Sequence, residues 1–185
     1  MRTTIFAERA LTNRGWQDDV LVRIDAQGFI AAVETDAHAP PGEEVHRASV
    51  LLPAPSNVHS HTFQRAMAGL SEAAGPDRRD SFWTWRTLMY RFVDALTPDD
   101  IEAIATFAFV EMAEAGYAGV GEFHYLHHGP DGAAHDDVAE TGGRIVEAAR
   151  LAGIGLTLLP VLYQRGGCDG RPLQGGQKRF GNDPD

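Results

Sequence analysis

The sequence predicts an α/β fold in which a small antiparallel β region leads into a parallel sheet whose strands are joined by helices. Three observations predict it. From Thr3 to about Val33 the chain reads as short strand-like runs separated by turn residues. Beyond position 50, apolar strand candidates alternate with stretches of helical periodicity in the order β-α-β-α-β. Apolar residues make up 43% of the 185 positions and charged residues 23%, a balance that supports a packed core rather than a disordered chain.

The elements follow in chain order. Thr4–Ala7, Val20–Ile24 and Phe29–Val33 are the first strands, and Asp25-Ala26-Gln27-Gly28 between the last two is a hairpin signal. Asp36 to Glu44 carries Pro40, Pro41 and Gly42 and reads as a connector. Val50-Leu51-Leu52-Pro53 then leads into Ser56 to His61, a buried strand that ends in polar residues. Ser81 to Ala95 is a helix rich in aromatics. A second helix starts at Thr97-Pro98-Asp99-Asp100, an N-cap followed by proline and first-turn acids, and stops at Gly116. Ala118 to His124 is the next strand, Asp136 to Leu151 a third helix ending at Gly153, and Ile154 to Leu162 a third apolar strand. After Tyr163 the chain turns Gly-rich and polar.

Three parallel strands with crossovers fit either a doubly wound sheet or the first three β/α units of a TIM-type (β/α)8 barrel. The doubly wound reading wants a Gly-rich dinucleotide fingerprint after its first strand, and none follows here. A whole barrel needs roughly 250 residues, more than remain beyond position 50. The expectation is a partial barrel, with residues 1–48 in a small β domain and 49–185 in the barrel.

Several function classes are excluded. A net charge of −10 without a clustered basic stripe opposes nucleic-acid binding. The single cysteine, Cys168, allows no internal disulfide. The first residues lack the continuous apolar core of a secretory signal, and no apolar run reaches the ~20 residues of a membrane span. A cytoplasmic location without membrane association is the expectation.

Chemistry enters at His59-Ser60-His61. Two residues apart at a strand end, both imidazoles point to the same side and can converge on one divalent ion. A catalytic site takes three protein ligands plus water, so the pair is half a site. The alternative is a coincidental or structural His-x-His. The position after a buried strand and before a helix, where barrel enzymes carry their catalytic groups, favours the metal.

The stretch Asn57 to Leu70 closely resembles formimidoylglutamate deiminases of the amidohydrolase superfamily, and three further blocks agree: Asp80 to Arg86, Glu122 to His128 and Gly155 to Tyr163. The resemblance implies a small β-sandwich domain beside a (β/α)8 barrel, with one zinc or similar divalent ion. It also implies hydrolysis of N-formimino-L-glutamate to N-formyl-L-glutamate and ammonia in histidine degradation. In that pattern His59 and His61 are metal ligands, while Gln64, Arg86 and Tyr125 contact the substrate. The further ligands and the proton-shuttling catalytic groups would lie downstream of Asp185, so the chain is expected to be a fragment that is inactive alone. The resemblance further implies a homodimeric full-length enzyme.

The substrate roles are physically reasonable. A diacid needs a guanidinium fork, which Arg86 among aromatic neighbours can offer. Tyr125 can donate its hydroxyl to a carboxylate, and Gln64 can orient the substrate through its amide. Each has a plainer alternative: an exposed arginine on an amphipathic helix, a core tyrosine, a first-turn helical glutamine. His124, His127 and His128 are read as loop and supporting residues rather than a second metal cluster, and Asp131, Asp136 and Asp137 as a solvated loop and helix start. Two other functions remain in view. A guanine- or cytosine-type deaminase would need a pocket for a flat ring, and a non-catalytic binding module would hold no zinc.

Overall fold

A computed structural model describes residues 3–71 and 81–183. Asp80, the first residue of the aromatic block, falls outside them. The chain divides into two compact units, Met1–Ala54 and Pro55–Asp185.

The first unit is a four-stranded sheet in the order β3-β2-β1-β4, with β1 over Thr3–Thr12, β2 over Gly15–Ile24, β3 over Ile30–Glu34 and β4 over His46–Leu51. Strands β1 and β2 form a tight hairpin whose last pair is Thr12 with Gly15. At the next turn the Asp25 carboxylate accepts from the amides of Gln27 and Phe29, both at 2.9 Å, an Asx arrangement that fixes the hairpin expected there. The antiparallel expectation covers three strands only, because β4 runs parallel to β1, pairing Ile5 with His46 and Ala10 with Leu51. Val50 and Leu51 therefore belong to this sheet rather than to the approach to the second one. Ala7, Ala10, Val20 and Val22 form the core of the unit, flanked by Ile5, Ile24 and Leu51.

The second unit holds three parallel strands in the order β5-β6-β7: β5 is Ser56–Ser60, β6 is Gly119–His124 and β7 is Gly155–Pro160. Its helices are α1 (Phe82–Val93), α2 (Pro98–Glu114) and α3 (Glu140–Ala152). Thr97 and Asp100 form a reciprocal capping box at the start of α2, with Pro98 in the first turn, as the sequence pattern requires. α3 stops at Gly153, which adopts the left-handed conformation. It begins later than the periodicity suggests, because the Asp137 carboxylate accepts from the Ala139 amide at 2.8 Å and holds that segment in a turn.

Burial alternates along β6, with Val120, Glu122 and His124 buried. Val120 packs in one cluster with Ile101, Ala105 and Phe109 of α2 and Ile145, Ala148 and Ala149 of α3. Gly121 lets β5 approach, since a Cβ there would lie 3.1 Å from the Val58 carbonyl oxygen.

Candidate functional site

The site forms where β5 and β6 end. The β5–β6 ladder shifts register between Asn57 and Ser60, an irregularity of the kind that re-aims side chains. His59 and His61 flank Ser60, the last paired residue, and their Nε2 atoms stand 2.9 Å apart. Their rings are nearly perpendicular, with centroids 4.6 Å apart. His61 is half-buried and its Nδ1 faces the Phe123 carbonyl at 3.2 Å. A carbonyl only accepts, so Nδ1 carries the proton and the Nε2 lone pair is left for another partner. Burial lowers the His61 pKa, against the carbonyl contact, and the charge of His59 lowers it further.

This pair fits a divalent ion. Two nitrogens sharing one ion at bonds of about 2.0–2.1 Å must lie within about 4 Å of each other, and an imidazole so placed typically donates its other N–H to a carbonyl or carboxylate. Among the described residues no group of three or more His, Cys, Asp or Glu side chains is placed to hold a metal, so the fit concerns half a coordination shell.

A pocket of about 550 Å³ lies beside the pair, and His61, Gln64, Arg86 and Tyr125 all line it. Arg86 donates to the Tyr90 hydroxyl at 2.8 Å and lies 5.7 Å over the Trp83 ring and 5.1 Å over that of Tyr90. This partly desolvated setting leaves several guanidinium N–H groups for a ligand. Gln64 donates its amide to the Tyr125 hydroxyl at 3.1 Å, so the tyrosine proton is free to be donated elsewhere. Burial pushes the Tyr125 pKa up to about 12, which keeps that proton in place at neutral pH. The sequence-predicted residues thus converge, with His61 shared between pocket and imidazole pair.

His124, His127 and His128 each meet a separate protein partner instead. His124 Nε2 meets the Thr141 hydroxyl at 3.2 Å, His127 Nε2 the Val161 carbonyl at 3.0 Å, and His128 Nε2 the Gly181 carbonyl. Asp131, Asp136 and Asp137 are exposed.

Sequence reasoning missed the segment after Tyr163. Gly166, Gly167, Cys168, Arg171 and Phe180 also line the pocket. The Phe180 ring lies 4.7 Å from that of Tyr125. Arg179 is fully buried and donates to the carbonyls of Val93, Leu96 and His128, closing the C-terminal end of α1. Its own carbonyl accepts from the amides of His127 and His128. A lone aromatic beside two basic residues in an otherwise Gly-rich stretch, Lys178-Arg179-Phe180, was the available signal.

Comparison with known proteins places these features. The model of the formimidoylglutamate deiminase HutF N-terminal domain matches residues 2–47. A formimidoylglutamate deiminase of Pseudomonas aeruginosa is 53% identical over 97% of this chain. The resemblance to formimidoylglutamate deiminases holds along the chain. It covers 39% of the Pseudomonas protein, so the chain spans about two fifths of that relative. A crystal structure described as an amidohydrolase from Brucella melitensis superposes with a TM-score of 0.89 at 45% identity, over 98% of this chain and 40% of that one. More distantly, guanine deaminase from C. acetobutylicum shares the fold at 14% identity and a TM-score of 0.67, over 94% of this chain and 39% of that one. Atrazine chlorohydrolase from Arthrobacter aurescens, solved with zinc and atraton, shares it at 20% identity and a TM-score of 0.69, over 89% and 36%. The chain is a mixed α/β protein whose structural neighbours are amidohydrolase-superfamily enzymes.

Proposed function

We propose that this chain carries the substrate-facing part of a formimidoylglutamate deiminase, and that the complete enzyme hydrolyses N-formimino-L-glutamate to N-formyl-L-glutamate and ammonia. One observation carries the reading. Arg86, Gln64 and Tyr125 gather in a pocket that shares His61 with the imidazole pair, and among the described residues its wall carries two arginines and no acidic side chain. In a chain of net charge −10, a cavity whose described wall carries two guanidinium groups suits a dianionic ligand.

Each residue then has a task. Arg86 holds a carboxylate through paired N–H donors. Tyr125 donates its hydroxyl to the same anion, and Gln64 sets that hydroxyl's direction by donating to its oxygen. His59 and His61 would hold one divalent ion, with zinc the proposed metal. When bound, such an ion supplies the Lewis acidity that activates water for attack on the electron-poor amidine carbon. Trp85 and Phe180 limit the water that reaches the pocket and strengthen the polar contacts within. Among the described residues no pocket side chain is poised to shuttle protons: burial pushes the Tyr125 pKa up to about 12 and His61 Nδ1 is engaged. That work is assigned to groups contributed by the rest of a full-length enzyme.

The finer architecture belongs to the same proposal. It comprises a small β-sandwich domain, continued by other chain, followed by the first three β/α units of a (β/α)8 barrel. The boundary expected near position 48 falls inside β4, so the proposed division is taken after that strand, between Leu51 and Ala54. A cytoplasmic location, no nucleic-acid partner and a homodimeric full-length enzyme go with it, supported by the family resemblance.

The test is a chimera in which this chain replaces its counterpart in the Pseudomonas aeruginosa relative. It should release ammonia from N-formimino-L-glutamate, and Arg86→Lys in the chimera should raise KM at least tenfold by losing the fork. A folded, zinc-loaded chimera that deaminates guanine or cytosine and leaves the amidine diacid untouched would overturn the reading.

A further inference from the structure

We infer that Glu122 is a positioning residue for the imidazole pair, holding the turn after His61 so that both Nε2 atoms aim at one point. The inference rests on the reading that His59 and His61 hold a divalent cation, and it assigns a task to a residue for which the proposed reaction has no other use. Glu122 is 2% exposed and lies on the helix-facing side of β6. One carboxylate oxygen, Oε1, accepts both from the Thr62 amide at 2.7 Å and from the Thr62 hydroxyl at 2.8 Å. The other, Oε2, is buried with no close hydrogen bond, the Ser60 side chain being the remaining polar group that acts on the carboxylate. A buried carboxylate is costly, and an apolar side chain would pack the same space between strand and helices without that penalty.

The local backbone explains what the carboxylate supplies. The ladder between β5 and β6 ends at Ser60, whose partner is Glu122. A short 3-10 helix follows over Thr62–Met67, and its N-cap residue, His61, makes no side-chain capping hydrogen bond. The first amide of that helix would lack a partner, and Glu122 provides one from the neighbouring strand. The next residue on β6, Phe123, gives its carbonyl to the His61 ring. Two consecutive residues of β6 therefore grip two consecutive residues beyond β5, one through the ring and one through the peptide after it. If the Thr62 grip is released, the turn can rotate, and the 2.9 Å approach of the two Nε2 atoms is no longer enforced.

The experiment uses the 185-residue chain, selective 15N labelling of histidine rings and Zn2+ alone as the probe. Without metal, His61 should show the Nδ1–H tautomer. Glu122→Ala should scramble that signature and weaken Zn2+ binding roughly 10- to 100-fold, the usual cost of losing a residue that orients a metal ligand. Glu122→Gln keeps an acceptor oxygen and should restore most of both. Thr62→Val removes the hydroxyl but keeps the amide, and should fall between. Should Glu122→Ala unfold, the last two variants carry the test, with Thr62→Val the weaker binder. Folded variants with unchanged His61 tautomer and Zn2+ affinity overturn the inference. A wild-type chain whose ring resonances ignore Zn2+ would instead overturn the metal reading, while the metal-free tautomer still decides the role of Glu122.

Discussion

The two units bury different things. The core of the first is small and aliphatic, built on Ala7, Ala10, Val20 and Val22. In the second, Ser60, Thr62, Glu122, His124, Thr141, Gln177 and Arg179 are buried, and these are all of the buried polar residues among those described. Burying a polar group costs free energy unless it is paired, so such groups mark places where geometry matters more than stability. The contrast sets the candidate site apart: the described buried polar residues lie in the unit that carries the ends of β5 and β6, and none lies in the first sheet.

The sharpest way to break the contrast is Arg179→Met. It removes the charged donor from the carbonyls of Val93, Leu96 and His128, of which Val93 keeps only the Leu96 amide at 3.4 Å, and a hydrogen bond to a charged group is worth about 1.5–3 kcal/mol. We expect a loss of at least ~3 kcal/mol in urea denaturation followed at Trp85, in a background with Trp16 and Trp83 replaced by phenylalanine. The transition followed at Trp16 alone should not move.

Acid comes next. Burial lowers the His124 pKa from its ordinary 6.5 to about 4, with the nearby His127 charge adding to the effect. The unfolded chain therefore binds the proton first. The contribution to stability is complete above pH 6.5, is lost progressively as the pH falls toward 4, and amounts to about 3 kcal/mol. Unfolding at Trp85 measured between pH 7 and pH 4 should show that slope, and His124→Phe should flatten it.

Val20→Ala tests the other unit. Val20 is fully buried, and losing two methyl groups with a residual cavity costs about 2 kcal/mol, read at Trp16 and not at Trp85. Smallest is Glu111→Gln. Its ion pair with Arg65 is short, at 2.7 Å, but both side chains are about two-fifths exposed, so denaturation should shift by less than about 1 kcal/mol.

Much of the site was legible because its signals are local. His59-Ser60-His61 needs only strand periodicity, and α2 declares itself through Thr97-Pro98-Asp99-Asp100. The placement of Val50 and Leu51 was not legible: an apolar run does not say which sheet it joins, and β4 is fixed by pairing with β1 some forty positions earlier. Arg179 was hidden for the same reason, since its carbonyl partners at Val93 and Leu96 are 86 and 83 positions away.

By itself the sequence determined the order of the helices and of the strands in the second sheet, the capping box of α2, the glycine stop of α3, and a His-x-His pair of the type that can serve a metal, because short-range sterics and capping encode these directly. Tertiary structure alone decided three things. It drew the segment after Tyr163 over the pocket, it buried Arg179 against the end of α1, and it set Glu122 beneath the turn after His61. Those outcomes depend on which distant backbone groups are left without partners once the strands pair, and that becomes defined only when the chain has folded.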